Sequence, residues 1–95
     1  MPVVTKQSPT NLTVIIEPGE HKFVAVCPEI DLATQGDTPE EAFEDLIDMV
    51  IEYAEEYKAE YDLYSKSPNR AGHWPYLNEV LKRGLDPKKT RELFS

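Results

Sequence analysis

Three acidic residues gathered around one short segment, Glu29, Asp31 and Asp37, have the first claim to chemistry in this sequence. Divalent ions favour clustered oxygen ligands, and metal-assisted hydrolysis of a phosphodiester would need such a cluster. Residues 29 and 31 would share one face of an extended segment, but no basic residue or histidine stands nearby to position a phosphate or move a proton. The three read as solvated carboxylates, and a residual hydrolase built on them is the remaining enzymatic alternative. His21 and His73 each lack a second His or Cys at ligand spacing and read as surface histidines. Cys27 follows Val24, Ala25 and Val26 and reads as a buried thiol, with no adjacent cation to lower its pKa. As the single cysteine it cannot form an intrachain disulfide or a zinc site alone. Gly19, Gly36, Gly72 and Gly84 are isolated, so no phosphate-cradling loop is expected. No catalytic, metal or cofactor-binding set emerges and no small-molecule substrate is implied. The residues point to a non-enzymatic protein.

The charge pattern points elsewhere. The 95 residues carry a formal net charge of −8, which opposes bulk attraction to nucleic acid. The charge is uneven: residues 40–62 hold ten acids against Lys58 alone, whereas residues 63–95 hold seven Lys or Arg against Glu79, Asp86 and Glu92. No apolar run approaches the roughly 20 residues that span a bilayer, and no leader pattern opens the chain, so no membrane is involved and the cytoplasm is the expected compartment.

The size suits one domain, 1–95, with a sheet-plus-helix core over 12–62 and a helical tail over 63–95. The first eleven residues read as a loosely held arm in which Val3 and Val4 could add a short edge pairing. β-Branched residues predict strands over 12–17, 22–27 and 30–35, with Leu12, Val14 and Ile16 on one side of the first. Glu17-Pro18-Gly19-Glu20 has the residues of a type II turn with positive φ at glycine. Three strands in so short a stretch must be antiparallel neighbours, since parallel pairs need long crossovers.

Thr38-Pro39-Glu40-Glu41 then reads as N-cap, first helical residue and capping box. From there Ala42, Leu46, Met49, Val50, Tyr53 and Tyr57 form one apolar stripe, widened to an arc of about 200° by Phe43, Ile47, Ile51 and Ala54. The opposite arc holds Glu41, Glu44, Asp45, Asp48, Glu52 and Glu55, continued by Glu56 and Asp62. No Gly or Pro interrupts before Pro68, which allows a helix of about 26 residues, roughly 39 Å long. Such a rod overhangs strands of about 20 Å. Its far end, with Tyr53, Tyr57, Tyr61 and Tyr64, must be covered by the tail or by a second subunit. Phe43, Ile47 and Ile51 are the expected dimer or tail contacts, so a homo-oligomer is anticipated. In the tail, Trp74-Pro75 starts a short helix carrying Leu77, Val80 and Leu81, closed by Gly84 with Leu85 in the manner of a Schellman motif. Asp86-Pro87 caps a last helix carrying Leu93 and Phe94. With Lys82, Arg83, Lys88, Lys89 and Arg91 this pair faintly suggests a helix-turn-helix, but the third helix of such domains is missing, and docking of the basic tail on the acidic helix is the simpler reading.

Residues 23–42 resemble the N-terminal domain of the HicB-like antitoxin family. The likeness lies in an aromatic-led strand ending in Cys27-Pro28-Glu29, the connection Thr34-Gln35-Gly36-Asp37-Thr38, and Glu40-Glu41-Ala42 opening the helix, and it spans about residues 12–57. The resemblance implies an α+β fold, a three-stranded antiparallel sheet packed by one long helix, degraded from an RNase H-like sheet and without catalytic carboxylates. It also implies a partner, a small basic mRNA-cleaving toxin of the HicA type, which the acidic helix face would meet with complementary charge. Glu41, Glu44, Asp45, Asp48, Glu52 and Glu55 are then the expected partner surface, whose alternative reading is an ordinary solvated helix face. Many such antitoxins carry an operator-binding C-terminal domain; residues 63–95 match none, so DNA contact is not carried over. A stand-alone DNA-contacting regulator and an orphan homo-oligomer without a toxin are the alternatives.

Overall fold

The structure, a computed structural model, describes residues 10–94, and most of the expected N-terminal arm, with Val3 and Val4, lies outside them. Three strands form one antiparallel sheet in the order β1 (Ile15–Pro18), β2 (Phe23–Cys27), β3 (Leu32–Gly36). In register, Ile15 faces Val26 and Pro18 faces Phe23, while Phe23 faces Gly36 and Cys27 faces Leu32. Helix α1 (Pro39–Ala59) lies across β2 and β3. A short helix α2 (Tyr61–Tyr64), then α3 (Trp74–Lys82) and α4 (Pro87–Arg91) complete the chain, and α3 and α4 both pack on α1. The expected α+β arrangement of a three-stranded antiparallel sheet with one long helix followed by shorter ones is therefore observed, with α2 as a short helix beyond the two expected in the tail.

The strand limits shift from those expected, for local reasons. β1 begins at Ile15 rather than at residue 12: Leu12 is buried, but its N–H donates to the carbonyl of Leu93 at 2.7 Å, which ties the entering chain to its other end instead of to β2. β3 begins at Leu32 rather than at residue 30, because Pro28–Ile30 forms a 3-10 turn that Asp31 closes in the left-handed region, φ 54°. The expected type II turn does not form. β1 runs through Pro18, whose missing N–H is tolerated at a sheet edge, and Gly19 has no positive φ. Gly19 is instead required for closeness: it donates to the Lys22 carbonyl at 2.6 Å, and a Cβ there would sit 2.8 Å from that oxygen.

The start of α1 follows the expected chemistry with one change. Thr38 Oγ1 accepts the Glu41 N–H at 3.1 Å, and Pro39 takes the first turn. The Glu41 carboxylate accepts the N–H of Asp37 at 3.2 Å, one residue before the N-cap, so the box closes one position upstream.

The far end departs further. The helix does not run on towards Pro68: it ends at Ala59 after 21 residues, about 31 Å, and Glu60 leaves helical geometry at φ −116°, ψ 37°. The cause is the tyrosine cluster. In a continuous helix Tyr64 would lie about 16 Å along the axis from Tyr53; the break lets α2 fold back, so that the Tyr64 ring comes to 6.4 Å from Tyr53 and 5.4 Å from Tyr57. Trp74 stacks on Tyr57 at 5.3 Å and 24°, and meets Tyr61 edge-on at 4.8 Å. Tyr57, with no exposed surface, donates its hydroxyl to the Arg70 carbonyl at 3.0 Å.

The core is continuous from the sheet through α1 to the tail: Ala25, Cys27 and Ile30 on one side, Leu46, Val50 and Tyr57 between, Leu77, Val80 and Leu93 on the other. The α3–α4 connection has Schellman bonds, from the Gly84 N–H to Leu81 and from the Leu85 N–H to Val80, with Gly84 at φ 73°. Asp86 caps α4 by accepting the N–H groups of Lys88 and Lys89.

Candidate functional site

The three carboxylates that opened the case for catalysis are dispersed. Glu29 accepts the Thr13 N–H at 3.0 Å and the Thr13 hydroxyl at 2.6 Å. Partial burial works against its charge, but these bonds outweigh that cost and hold its pKa below the usual value. Asp37 pairs with Lys22 at 3.5 Å, both exposed. Among the described residues no three His, Cys, Asp or Glu side chains stand together as a metal site would need. Among them, too, no helix is long and apolar enough to cross a membrane.

Glu41, Glu44, Asp45, Asp48, Glu52 and Glu55 are all exposed, and helical spacing places them within about 100° of one face of α1. From residue 41 to residue 55 that face extends about 21 Å. Glu41 is partly occupied by the Asp37 N–H. The ion pairs among the described residues are Lys22–Asp37, Arg83–Glu92 and Arg91–Glu40; Lys88 and Arg91 also line a groove with Glu44 and Asp48, but none of the carboxylates from Glu44 to Glu55 forms an ion pair there.

The apolar flank of α1 meets the tail. Phe43 packs edge-on against Phe94 at 5.3 Å, under the Arg91 guanidinium at 4.4 Å from its ring centre. Ile47 is buried in a shallow groove beside Pro87, and Ile51 is half-buried against the core. Tyr53 is buried, and Tyr61 is exposed but in contact with Tyr57 and Trp74.

On the other flank lies a cleft of about 430 Å³ that sequence reasoning did not assemble. Glu52 and Glu56 stand on its α1 wall, Asp31 on its sheet wall, and Asn69, Arg70 and His73 on the loop after α2. Arg70 lies over the Tyr64 ring at 4.5 Å and the Tyr53 ring at 5.6 Å. Glu56 accepts the Tyr64 hydroxyl at 2.9 Å. His73 is not the surface histidine expected: it is buried, and its Nδ1 is 2.7 Å from the Tyr53 hydroxyl. Burial pushes its pKa down, against the pull of Asp31 and together with the Arg70 charge. Asp31 and His73 each stood out in the sequence, but only the turn at Pro28–Ile30 and the return of the chain after α2 bring them to one place. The only linear signal is the pair Glu52 and Glu56, one helical turn apart beside Tyr53.

The fold defines an α+β module in which one long helix covers a small antiparallel sheet, shorter helices pack on that helix, and a long carboxylate face is left on it. Over residues 3–93 the chain matches the PHD-like family described as "Antitoxin of toxin-antitoxin, RelE / RelB, TA system", and it belongs to that family. The structure is similar to the crystal structure of an antitoxin part of a proposed toxin/antitoxin system from Syntrophomonas wolfei subsp. wolfei, with a TM-score of 0.79 and 21% sequence identity. The likeness covers 90% of this chain and 61% of that one, so this chain spans less than two thirds of that protein's length. No curated protein matches the chain. The antitoxin class expected from the sequence is thus the family's own, and the family description names a RelE/RelB system where the sequence resemblance pointed to HicB.

Proposed function

We propose that the chain acts without catalysis, as an antitoxin that binds and neutralises a small basic toxin through the exposed carboxylate face of α1. The observation that carries this reading is the exposed row of carboxylates from Glu44 to Glu55, none in an ion pair among the described residues, on a helix whose other sides are buried against sheet and tail; Lys88 and Arg91 come beside Glu44 and Asp48 at its start and leave Glu52 and Glu55 open. Such a face steers a cationic partner and occupies the surface that partner uses to hold phosphates. A toxin of the HicA type, cleaving mRNA, satisfies the charge argument and is the partner the sequence resemblance favours; RelE, named in the family description, is the alternative identity.

The test is co-expression with the product of an adjoining short, basic reading frame, followed by co-purification. Binding is expected, and Glu44→Lys with Asp48→Lys and Glu52→Lys should abolish it while leaving the circular dichroism and melting temperature near wild type. Retained binding by that variant would move the interface elsewhere. A second reading, self-association through Phe43, Ile47 and Ile51, rests on the apolar width of α1; sedimentation at increasing concentration distinguishes a dimer from a monomer whose tail alone covers that flank.

A further inference from the structure

The cleft beside the carboxylate face has a composition that selects its occupant. Its rim carries Asp31, Glu52 and Glu56 against a single cation, Arg70. None of the three acids belongs to an ion pair among the described residues, and Arg70 is held over the rings of Tyr64 and Tyr53 instead. The half-buried Leu32 and Met49 and the buried Tyr53 line the cleft as well, deeper than the exposed acids. Acid at the rim and apolar wall beneath suit a long side chain with an aliphatic stem and a cationic head. The volume of about 430 Å³ lies in the lower part of the range in which proteins enclose discrete ligand groups. Glu52 belongs to both surfaces, so the cleft is continuous with the face described above.

We propose that this cleft is a receptor for an arginine or lysine side chain of the protein partner, which anchors the partner at one end of the acidic helix face. The inference rests on the proposed toxin-binding reading and adds to it a fixed point of attachment. A carboxylate face alone gives attraction without register; a side chain inserted between Asp31 and the Glu52–Glu56 pair fixes where along α1 the partner sits.

The probe is a blocked Gly-Arg-Gly tripeptide titrated into the ¹⁵N-labelled full chain, with blocked Gly-Gln-Gly as the uncharged control. Saturable amide shifts at Asp31, Leu32, Met49 and Arg70 are expected for the arginine peptide only. Asp31→Asn with Glu56→Gln should weaken that binding at least tenfold. Asparagine tolerates the left-handed backbone of residue 31 and glutamine keeps an acceptor for Tyr64, so a wild-type spectrum elsewhere is expected of the variant. Shifts that follow Glu44 and Asp48 instead, shifts that do not saturate, an equal response to the glutamine peptide, or no change in the double variant would overturn the cleft. Toxin co-purification is read separately: its loss with the Glu44, Asp48 and Glu52 reversals but not with Asp31→Asn and Glu56→Gln leaves the antitoxin reading standing and removes the anchor. If co-purification survives both sets of changes, the helix face and the cleft both fall as binding surfaces and the toxin binds elsewhere.

Discussion

The hydroxyl of Tyr53 and Nδ1 of His73 lie 2.7 Å apart, buried, and join α1 to the start of α3 across twenty residues of chain. Burial is the main influence on both groups and keeps both neutral, the phenol with a raised pKa and the imidazole with a lowered one; the tautomer of the ring decides which of the two donates in the bond. A histidine whose folded pKa is below its unfolded value binds fewer protons when folded. Its contribution is present above the unfolded pKa, near 6.5, and is lost as pH falls from there through the lower folded pKa. Denaturant midpoints measured from pH 8 to pH 5 should therefore fall below about pH 6.5 in the wild type. In His73→Gln that step should flatten, on a lower baseline. An unchanged step would assign the titration to other groups.

Gly36 ends β3 directly beneath the first turn of α1. A Cβ there would stand 2.4 Å from the Ala42 nitrogen and 2.8 Å from the Glu41 carbonyl carbon, both backbone atoms of a capped helix that cannot yield cheaply. Gly36→Ala should cost about 1–3 kcal/mol, the usual price of overpacking, or more if the cap at Thr38 is displaced. Urea unfolding reads this directly; a loss below about 0.5 kcal/mol would mean that the sheet and helix separate more easily than their packing indicates.

Thr90, on α4, has no exposed surface, and its Oγ1 finds no hydrogen-bond partner among the described residues. A buried hydroxyl without a partner costs roughly 1–3 kcal/mol, and valine fills nearly the same volume without that group. Thr90→Val should raise stability by about 1 kcal/mol, seen as a higher denaturation midpoint with an unchanged slope. A drop instead would show that the hydroxyl is satisfied in solution.

What the sequence disclosed and what it withheld divide along the distance over which each feature is decided. The start of α1 was legible because Thr38, Pro39 and Glu41 act within one turn, and the closure of α3 because Gly84 and Leu85 bond to residues three and five positions back. The break at Glu60 was not. Nothing in its neighbourhood stops a helix; the stop comes from Trp74 and from the fit of Tyr64 against Tyr53, which become neighbours only in the folded chain. The cleft was hidden for the same reason. The carboxylates of α1 were legible as a face, since a helix exposes its polar side by periodicity alone, whereas Asp31 and Arg70 share no local pattern.

Cys27 gives a test of how firmly the sheet is closed against α1. Its side chain is buried at the end of β2, and its sulfur lies 3.6 Å from the Glu29 carboxylate. Burial first and the Glu29 charge second push the thiol up to about 12. The thiolate is the species that attacks disulfide reagents, so at pH 8 the native protein should leave an aromatic disulfide reagent unreacted for hours, while the urea-unfolded chain releases one equivalent within minutes. Because labelling then requires an opening event, its rate in native buffer reports the population of open forms. Gly36→Ala, which pries the sheet from α1, should accelerate labelling. Thr90→Val, which tightens α4 on the far side, should leave the rate unchanged if opening of the sheet is independent of the tail. Slower labelling in Thr90→Val would mean that sheet, helix and tail open as one cooperative unit, as the continuous core from Cys27 through Tyr57 to Leu93 predicts.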